Sequence, residues 1–398
     1  MGRVFKNDRK MRLLIVGNRK HQLIRGLISE IKQYYKLNNK KVIIDVLSQE
    51  IEDVKKSDEI FDNVYTLRLP KILGKFRTLR GLFKQLLFRY RVKSLLSNYD
   101  IIHVHYMEDI ILRDVDCFLK NIEGKLVVSV WGSDFLRATK EKKEKILKLL
   151  NQAKFITISN SKIEKSLRNY YKESLLNDNI TTNYFIIEPL YVLNEIKKKY
   201  TKEESSKHLS LDNNRIIVTI GYNASIMQQH LKILKVLEQE DKLKYHRNKI
   251  KIVFPVTYPK NEPYIKKIKE KAKKSCYKIE FLERFMTNEE VAHLRNATDI
   301  MVQLQTTDML SASMLEHLYA GNKVITGNWL PYDELRDMGL VFDSVDSIEN
   351  LPLTLLNAIN KINLDNNNNE EIINVFFKKD LLVKKWTKLY NIKNEKGN

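Results

Sequence analysis

Short apolar runs alternate with amphipathic segments along most of the chain, and this alternation limits the folds open to it. The runs have the length of buried strands, whereas the intervening segments place apolar residues at three- and four-residue steps, as helices do. Repeated strand–helix–strand units predict parallel sheets with helices on both faces. The strands predicted in the first half are 12–17, 41–47, 64–67, 100–105, 126–130, 155–158 and 184–187.

The second half repeats this pattern after a polar stretch. Residues 194–214 are rich in Lys, Ser and Asn and are predicted to form a linker. We therefore expect an α/β protein with two doubly wound, Rossmann-like domains, residues 1–193 and 215–372, and a helical C-terminal segment within 373–398. The strands predicted in the second half are 215–220, 250–254, 278–282, 299–302 and 323–326.

Composition narrows the class of protein. A chain of 398 residues suits two such domains, and its two cysteines lie too far apart in sequence to suggest a disulfide scaffold. We see no signal peptide and no apolar run long enough to span a bilayer, so we expect a cytoplasmic protein. The formal net charge of +21 favours an anionic partner, which could be nucleic acid, anionic lipid or a phosphorylated substrate.

The segment 297–327 combines a strand, a polar loop and a helix that carry two acidic residues. Asp308 lies in the loop and Glu316 lies in the predicted helix Met314–Ala320, which Gly321 can end. A carboxylate one turn into this helix can accept hydrogen bonds from a ribose diol, and one in the loop can hold a sugar hydroxyl. The segment therefore predicts a nucleotide-sugar site, and the alternative is an ordinary helix with surface acids.

The start of the same helix suits a phosphate. Free N–H groups and the positive end of the helix dipole attract anions there. We therefore assign donor binding to Glu316 and to the first-turn residues Ser311, Ser313 and Met314.

This block resembles the acid-x7-acid signature of GT-B glycosyltransferases, especially the retaining family-four enzymes. Asp308 replaces the first Glu of that signature, and Asn322-Lys323 replaces the usual pair of a small residue and Pro. The resemblance implies two Rossmann-like domains facing each other across a cleft, with the donor in the C-terminal domain. It also implies that segment 373–398 packs back on the acceptor domain, that Glu316 holds the ribose, and that Asp308 orients the sugar.

Two strand ends in the first half are candidate acceptor-side sites. Trp131-Gly132-Ser133-Asp134 resembles the His-Gly-x-Asp motif of family-four enzymes, with Trp131 in place of His. Asp134 could accept a hydrogen bond from a substrate hydroxyl, or it could cap the next helix. Gly17-Asn18 ends the first strand, where a glycine lets the backbone approach a ligand; a plain turn is the alternative.

A pair of histidines lies on the strand 100–105. We expect His103 and His105 to point to opposite faces, which argues against joint metal binding. His105 is a candidate acid–base residue with Glu108, and a satisfied core histidine is the alternative. No cluster has convincing metal-ligand spacing, so we expect neither a metal nor another cofactor.

The loop that opens the second half, Gly221 to Ser225, could hold a diphosphate through its N–H groups. We assign Gly221 and Asn223 to the donor site, and Arg284 is the candidate cation for the diphosphate, although it could equally be a surface residue. The loop resembles the donor loop of GT-B enzymes. A weaker resemblance, to bacterial fucosamine transferases of the enterobacterial common antigen pathway, would imply inversion rather than retention.

Residues 63–99 contain nine Lys and Arg and no Asp or Glu. Within them, segment 71–93 has the pattern of a basic amphipathic helix, which would bind an anionic membrane surface, each nearby cation contributing about 1 kcal/mol. A core-packed helix with a solvated basic face is the alternative. Nucleic acid is a less favoured partner because no helix-turn-helix, zinc-finger or RNP pattern occurs.

The leading interpretation is a glycosyltransferase of cell-surface polysaccharide biosynthesis. It would move a hexosyl or N-acetylhexosaminyl group from a nucleotide-sugar to a lipid-linked or glycan acceptor, without a metal and with retention, at the inner face of the membrane. The alternative is a basic GT-B-like protein that binds nucleic acid or membrane without catalysis.

Overall fold

The computed structural model describes residues 10–48, 59–66, 80–107, 111–112, 114–120, 122, 124–211, 214–259, 261–308, 310–362 and 368–391. The chain divides into two compact units. The first unit is Met1–Ile186 together with Lys379–Asn398, and the second is Ile187–Lys378.

The first unit contains a parallel sheet of seven strands among the described residues, in the order β3-β2-β1-β4-β5-β6-β7. Its core forms because β1 buries Leu13, Leu14 and Ile15 completely. The helix Gln22–Leu37 also buries apolar residues at three- and four-residue steps. The strands are β1 (Met11–Val16), β2 (Val42–Ser48), β3 (Val64–Thr66), β4 (Ile101–His105), β5 (Leu126–Ser129), β6 (Phe155–Ile158) and β7 (Ile180–Thr182).

Helices connect these strands, as the alternating pattern predicts. They are α1 (Gln22–Leu37), α2 (Arg80–Leu95), α3 (Val115–Leu119), α4 (Ser133–Leu136), α5 (Lys140–Gln152) and α6 (Ser161–Tyr171). Residues 71–79 of the predicted basic helix and Glu108 lie outside the described residues.

The second unit has a parallel sheet of six described strands, in the order β10-β9-β8-β11-β12-β13. The short edge strand β13 was not predicted. The strands are β8 (Ile216–Ile220), β9 (Ile250–Pro255), β10 (Lys278–Leu282), β11 (Ile300–Gln303), β12 (Lys323–Gly327) and β13 (Asp343–Val345). The helices are α7 (Glu188–Lys199), α8 (Lys202–His208), α9 (His230–Gln239), α10 (Glu262–Ala272), α11 (Asn288–Ala297), α12 (Ala312–Ala320), α13 (Asp333–Asp337), α14 (Leu351–Asn360) and α15 (Asn369–Phe376).

The last helix, α16 (Lys379–Asn391), belongs to the first unit. Trp386 is fully buried there and its Nε1 donates to the Tyr184 carbonyl at 2.9 Å. Lys379 also pairs with Glu30 on α1 at 2.8 Å.

Two local predictions are wrong. Residues 184–187 do not form a strand: the last strand of the first sheet is β7, and the Tyr184 carbonyl bonds Trp386 instead of a neighbouring strand. The predicted linker 194–214 is largely helical, since it contains the end of α7 and all of α8. Thr201 and Glu204 form a capping box that starts α8, so the polar composition belongs to helices rather than to a linker.

The expected fold class, two doubly wound Rossmann-like domains, is confirmed. In each sheet the order reverses beside the first strand, between β1 and β4 in the first and between β8 and β11 in the second. Loops that follow such neighbouring strands diverge and leave a crevice in which α/β proteins bind ligands. We call these places the first and second switch points.

Candidate functional site

The second switch point begins with Gly221, directly after β8. Its φ of +66° suits glycine, and a Cβ atom there would lie 2.7 Å from Gln228 Oε1 and 3.2 Å from His230 Nε2. Both side chains are buried, and burial lowers the pKa of His230 to about 4. In the same loop the buried Asn223 accepts from the Ser225 N–H at 2.9 Å, which shapes the turn.

Helix α12 begins at Ala312, two residues earlier than expected, and ends at Gly321 with a φ of +87°, as predicted. Ser311 is the N-cap, and its Oγ accepts from the Met314 N–H at 3.2 Å. That N–H is therefore occupied by the protein itself, whereas the N–H groups of the first helical residues have no acceptor within a helix. Ser313 Oγ is buried and has no partner among the described residues.

Glu316 lies on α12 and is nearly fully buried. Its Oε2 accepts from Nε of Arg295 on α11 at 2.8 Å, and the Arg295 side chain is as deeply buried. Arg295 Nη1 has no partner among the described residues. Arg295 was not predicted, although its place three residues after the buried Ala292 puts it on the inner face of α11.

Asp308 lies in the loop between β11 and α12 and is partly buried. Its Oδ2 accepts from the Tyr332 hydroxyl at 2.5 Å and from Gln303 Nε2 at 3.4 Å. Burial and the charge of Asp308 raise the pKa of Tyr332, so the phenol stays protonated and donates. Gln303 also reaches Ser311 Oγ at 3.4 Å, which joins this loop to the cap of α12.

Buried polar atoms without a partner concentrate at the second switch point. Such atoms cost free energy unless a ligand or water satisfies them, so a cluster of them is characteristic of a binding site for a polar molecule. Among the described residues they include Gln228 Oε1, His230 Nε2, Arg295 Nη1, Gln303 Oε1, Gln305 Nε2, Ser313 Oγ and Thr326 Oγ1.

Arg284, the predicted diphosphate cation, forms an ion pair within its own unit. It is exposed, follows the edge strand β10, and bonds the carboxylate of Glu290, which belongs to the capping box of α11. The buried guanidinium at the second switch point is that of Arg295, which pairs with Glu316.

The first switch point joins Gly17, after β1, to His105, at the end of β4. A Cβ atom on Gly17 would lie 3.0 Å from the His105 carbonyl oxygen and 3.3 Å from its Cβ, so the two strand ends are in close contact. Asn18 Oδ1 accepts from the Lys20 N–H at 2.9 Å and shapes the turn that follows.

Asp134 connects the loops after β4 and β5. Its Oδ1 accepts from the Trp131 N–H at 3.0 Å, and its Oδ2 accepts from the Met107 N–H at 3.2 Å. Burial raises the pKa of Asp134 to about 6. The N-cap of α4 is Gly132, with a φ of +90°, so Asp134 lies inside the first turn and fixes the two loops rather than capping the helix in the ordinary way.

The expectation that His103 and His105 face opposite sides is wrong. Their ring centroids lie 3.8 Å apart, because residues two apart on a strand share one face. His103 is a satisfied core histidine that bonds the Tyr390 hydroxyl and Ser129 Oγ, each at 2.7 Å. Both ring nitrogens of His105 lack partners in the described part of the chain, and burial lowers its pKa to about 3.

Comparison with known proteins agrees with this geometry. Residues 23–161 match the family model described as glycosyl transferase 4-like. The resemblance to GT-B glycosyltransferases of the family-four type is thereby confirmed, and the chain has the GT-B fold. No curated protein sequence matches the chain.

Solved GT-B structures are similar over nearly the whole chain at low identity. The glycosyltransferase from Rickettsia africae ESF-5 is 14% identical, with a TM-score of 0.68 and coverage of 96% of this chain and 98% of that one. Sucrose-phosphate synthase from Thermosynechococcus elongatus is 10% identical, with a TM-score of 0.73 and coverage of 96% and 98%. Anabaena HepE in complex with UDP-glucose is 13% identical, with a TM-score of 0.67 and coverage of 95% and 99%.

Helix α2 of this GT-B fold carries apolar residues on two faces. One face is buried through Phe88 and Val92, and Phe88 stacks on Phe118 with centroids 6.5 Å apart. Leu82, Leu86 and Tyr90 recur every four residues on the outer face and are 52%, 49% and 70% exposed.

Within the described residues, no group of three or more His, Cys, Asp and Glu side chains could hold a metal ion. No helix in the described part of the chain is long and apolar enough to cross a membrane.

Proposed function

We propose that this protein is a glycosyltransferase that moves a sugar from a nucleotide-sugar, bound by the second unit, to an acceptor bound by the first. The observation that carries the proposal is the cluster of buried, unpartnered polar atoms around Glu316 at the second switch point. Anabaena HepE, a protein of the same fold, has been solved with UDP-glucose, which supports a donor of this class.

Glu316 is the proposed ribose-binding residue. Arg295 holds its Oε2, so Oε1 is left to accept from a ribose hydroxyl. The first N–H groups of α12 would meet the diphosphate, and Arg295 Nη1 would add a positive charge beside it. Asp308 would accept from a hydroxyl of the donor sugar. These groups favour the charge that develops on the leaving diphosphate.

The reaction breaks the bond between the anomeric carbon and the diphosphate oxygen and forms a bond from that carbon to an acceptor hydroxyl oxygen. The hydroxyl proton leaves with the diphosphate. By the resemblance to family-four enzymes we propose retention at the anomeric carbon. We also propose that Arg295 and the α12 amino terminus replace a metal, so EDTA would leave the rate unchanged.

Two acceptor classes are compatible with the fold. The exposed stripe Leu82, Leu86 and Tyr90 favours a lipid-linked glycan, because exposed apolar residues beside the exposed cation Lys93 suit an anionic membrane surface. We therefore propose action at the cytoplasmic face of the membrane in polysaccharide synthesis. A sugar phosphate is the other class, since a sucrose-phosphate synthase and a trehalose-phosphate synthase share the fold.

The test is nucleotide release from UDP-, GDP-, dTDP- and CMP-sugars, with a membrane lipid extract or a set of sugar phosphates as acceptor. We expect one donor to react and Glu316→Gln to lower kcat/KM about a hundredfold, because hydrogen bonds to a charged group each contribute about 1.5–3 kcal/mol. The control is Glu262→Gln, at an exposed position on α10.

An unchanged rate in Glu316→Gln would contradict the assigned role of this residue. No release and no thermal shift with any donor would contradict the transferase. Tight, salt-dependent binding of oligonucleotides in that case would favour the non-catalytic alternative.

A further inference from the structure

Four aromatic side chains lie close together at the first switch point. The hydrogen bonds that hold the loops there do not depend on them. Trp131 has Phe185 at 4.8 Å between ring centroids, His21 at 4.7 Å and Tyr106 at 6.1 Å. These four residues, which we call the aromatic surface, come from three strand-end loops and the segment after β7. His21 and Tyr106 are exposed, and Trp131 and Phe185 are partly exposed.

The surface rests on a rigid base. Phe185 packs on the fully buried Trp386 of α16, with centroids 5.7 Å apart. The Trp131 backbone is held by Asp134, and His21 is fixed as the N-cap of α1. A surface held in this way loses little conformational entropy when a ligand covers it.

Tyr106 adopts a backbone conformation that a non-glycine residue rarely takes. Its φ is +56°, directly after β4, and this places its ring beside Trp131 while leaving it 38% exposed. Strained positions of this kind cluster at binding sites, because the strain is retained where it serves to present a side chain.

Polar atoms beside the aromatic surface lack partners. Trp131 Nε1 and both ring nitrogens of His105 are buried, and none has a partner among the described residues. The His105 and Trp131 ring centroids lie 6.3 Å apart. The protein encloses these nitrogens, so the polar atoms that a ligand covering the surface would meet are those of the exposed His21 and Tyr106.

We propose that the aromatic surface binds a pyranose ring of the acceptor, with Trp131 as its stacking platform. A pyranose has an apolar face of C–H groups that stacks on an aromatic ring, and hydroxyls at its edge that can both donate and accept. This pairing matches an indole beside the exposed polar atoms of His21 and Tyr106, whereas a polyprenyl chain would cover those atoms without giving them hydrogen bonds. The inference rests on the proposed function, since it specifies what the first unit holds during transfer.

The first experiment requires no turnover. Tryptophan fluorescence is measured while methyl β-glucoside, methyl N-acetyl-β-glucosaminide, maltotriose, chitotriose and the active acceptor, where one is identified, are added. We expect a saturable change in wild type that Trp131→Phe abolishes. Tyr170→Ala, which removes an exposed aromatic residue elsewhere in the first unit, retains the change. A change of the same size with UDP alone would assign the surface to the nucleotide and overturn the proposal, as would no change with any saccharide.

The second experiment uses the transferase reaction. We expect Trp131→Ala to raise the acceptor KM at least about tenfold while the donor KM and the slow hydrolysis of donor without acceptor change less than twofold. Trp131→Phe keeps an aromatic face and stays within about threefold of wild type in acceptor KM.

An unchanged acceptor KM in Trp131→Ala, with transfer intact, would overturn the sugar platform and leave the transferase standing. A failure of the proposed reaction alone would give a different result. Saturable saccharide binding at Trp131 without transfer from any donor would keep the platform and remove the proposed reaction.

Discussion

The two sheets share the order of their first six strands, and in each a glycine follows the first strand, yet the groups around these glycines differ in kind. Around Gly221 lie buried amides, hydroxyls and the Arg295–Glu316 pair. Around Gly17 lie aromatic rings and the buried carboxylate of Asp134, which already accepts two backbone hydrogen bonds. Each sheet forms a crevice at its switch point, and the side chains of the surrounding loops determine which ligand that crevice can bind.

The difference is clearest in the groups that contact the two buried carboxylates, Glu316 and Asp134. Glu316 is balanced by a cation, whereas Asp134 is held by neutral N–H groups and no cation is hydrogen-bonded to it among the described residues. Arg295 therefore orients Glu316 for a ligand, whereas Asp134 acts as a positioning residue that joins two loops. Substitutions at these two sites should therefore change stability and activity in different ways.

The largest expected effect is the loss of the buried cation. Arg295→Met leaves Glu316 buried without its partner, and breaking such a pair costs about 3–5 kcal/mol. We expect the unfolding free energy of the second unit to fall by that amount and the donor KM to rise. Urea denaturation followed by circular dichroism measures the first quantity, and nucleotide-release kinetics measure the second.

Two variants control for this effect. Arg295→Met combined with Glu316→Gln should recover part of the lost stability, because no unpaired charge remains. Lys232→Met removes only an exposed pair, that with Glu349, and should leave both quantities unchanged. Equal losses in Lys232→Met and Arg295→Met would show that the buried pair has no special role.

The next largest expected effect is a change of stability with pH that is caused by Asp134. Folding raises its pKa to about 6 from an ordinary value near 3.8, so the folded state favours the protonated form. Its contribution to stability is greatest below about pH 4 and is lost as the pH rises through about 6. With 1.36 kcal/mol per pKa unit, the difference in unfolding free energy between wild type and Asp134→Asn should fall by at most about 3 kcal/mol over this range.

Urea denaturation at several pH values, followed by tryptophan fluorescence, measures this difference. The exposed substitution Asp116→Asn supplies the matched control, since Asp116 pairs with Lys148 at the surface. A difference between wild type and Asp134→Asn that does not vary with pH would show that folding does not raise the pKa of Asp134.

The sequence predicted most strands and the end of α12, because apolar periodicity and a C-terminal glycine are local signals. It could not predict the structure of 184–187, where the partner of the Tyr184 carbonyl lies on α16, far along the chain. Arg295 was missed for the same reason, since its partner is on another helix. By contrast, the shared face of His103 and His105 follows from strand geometry alone and was open to correct prediction.

The smallest expected effect tests whether the first unit alone meets lipid. Leu86→Glu removes one exposed apolar residue from the outer face of α2 and adds a negative charge to the face that carries Lys93. Burying a leucine side chain contributes about 1.5–3 kcal/mol, and each nearby cation contributes about 1 kcal/mol at an anionic surface. Leu86 is half exposed and would enter lipid only partly, so we expect binding to phosphatidylglycerol-rich vesicles to weaken about fivefold to twentyfold.

Leu353→Glu is the matched control, because Leu353 is 45% exposed on α14 of the second unit. Equal weakening in both variants, or no vesicle binding by wild type, would assign the exposed face of α2 a role other than lipid contact.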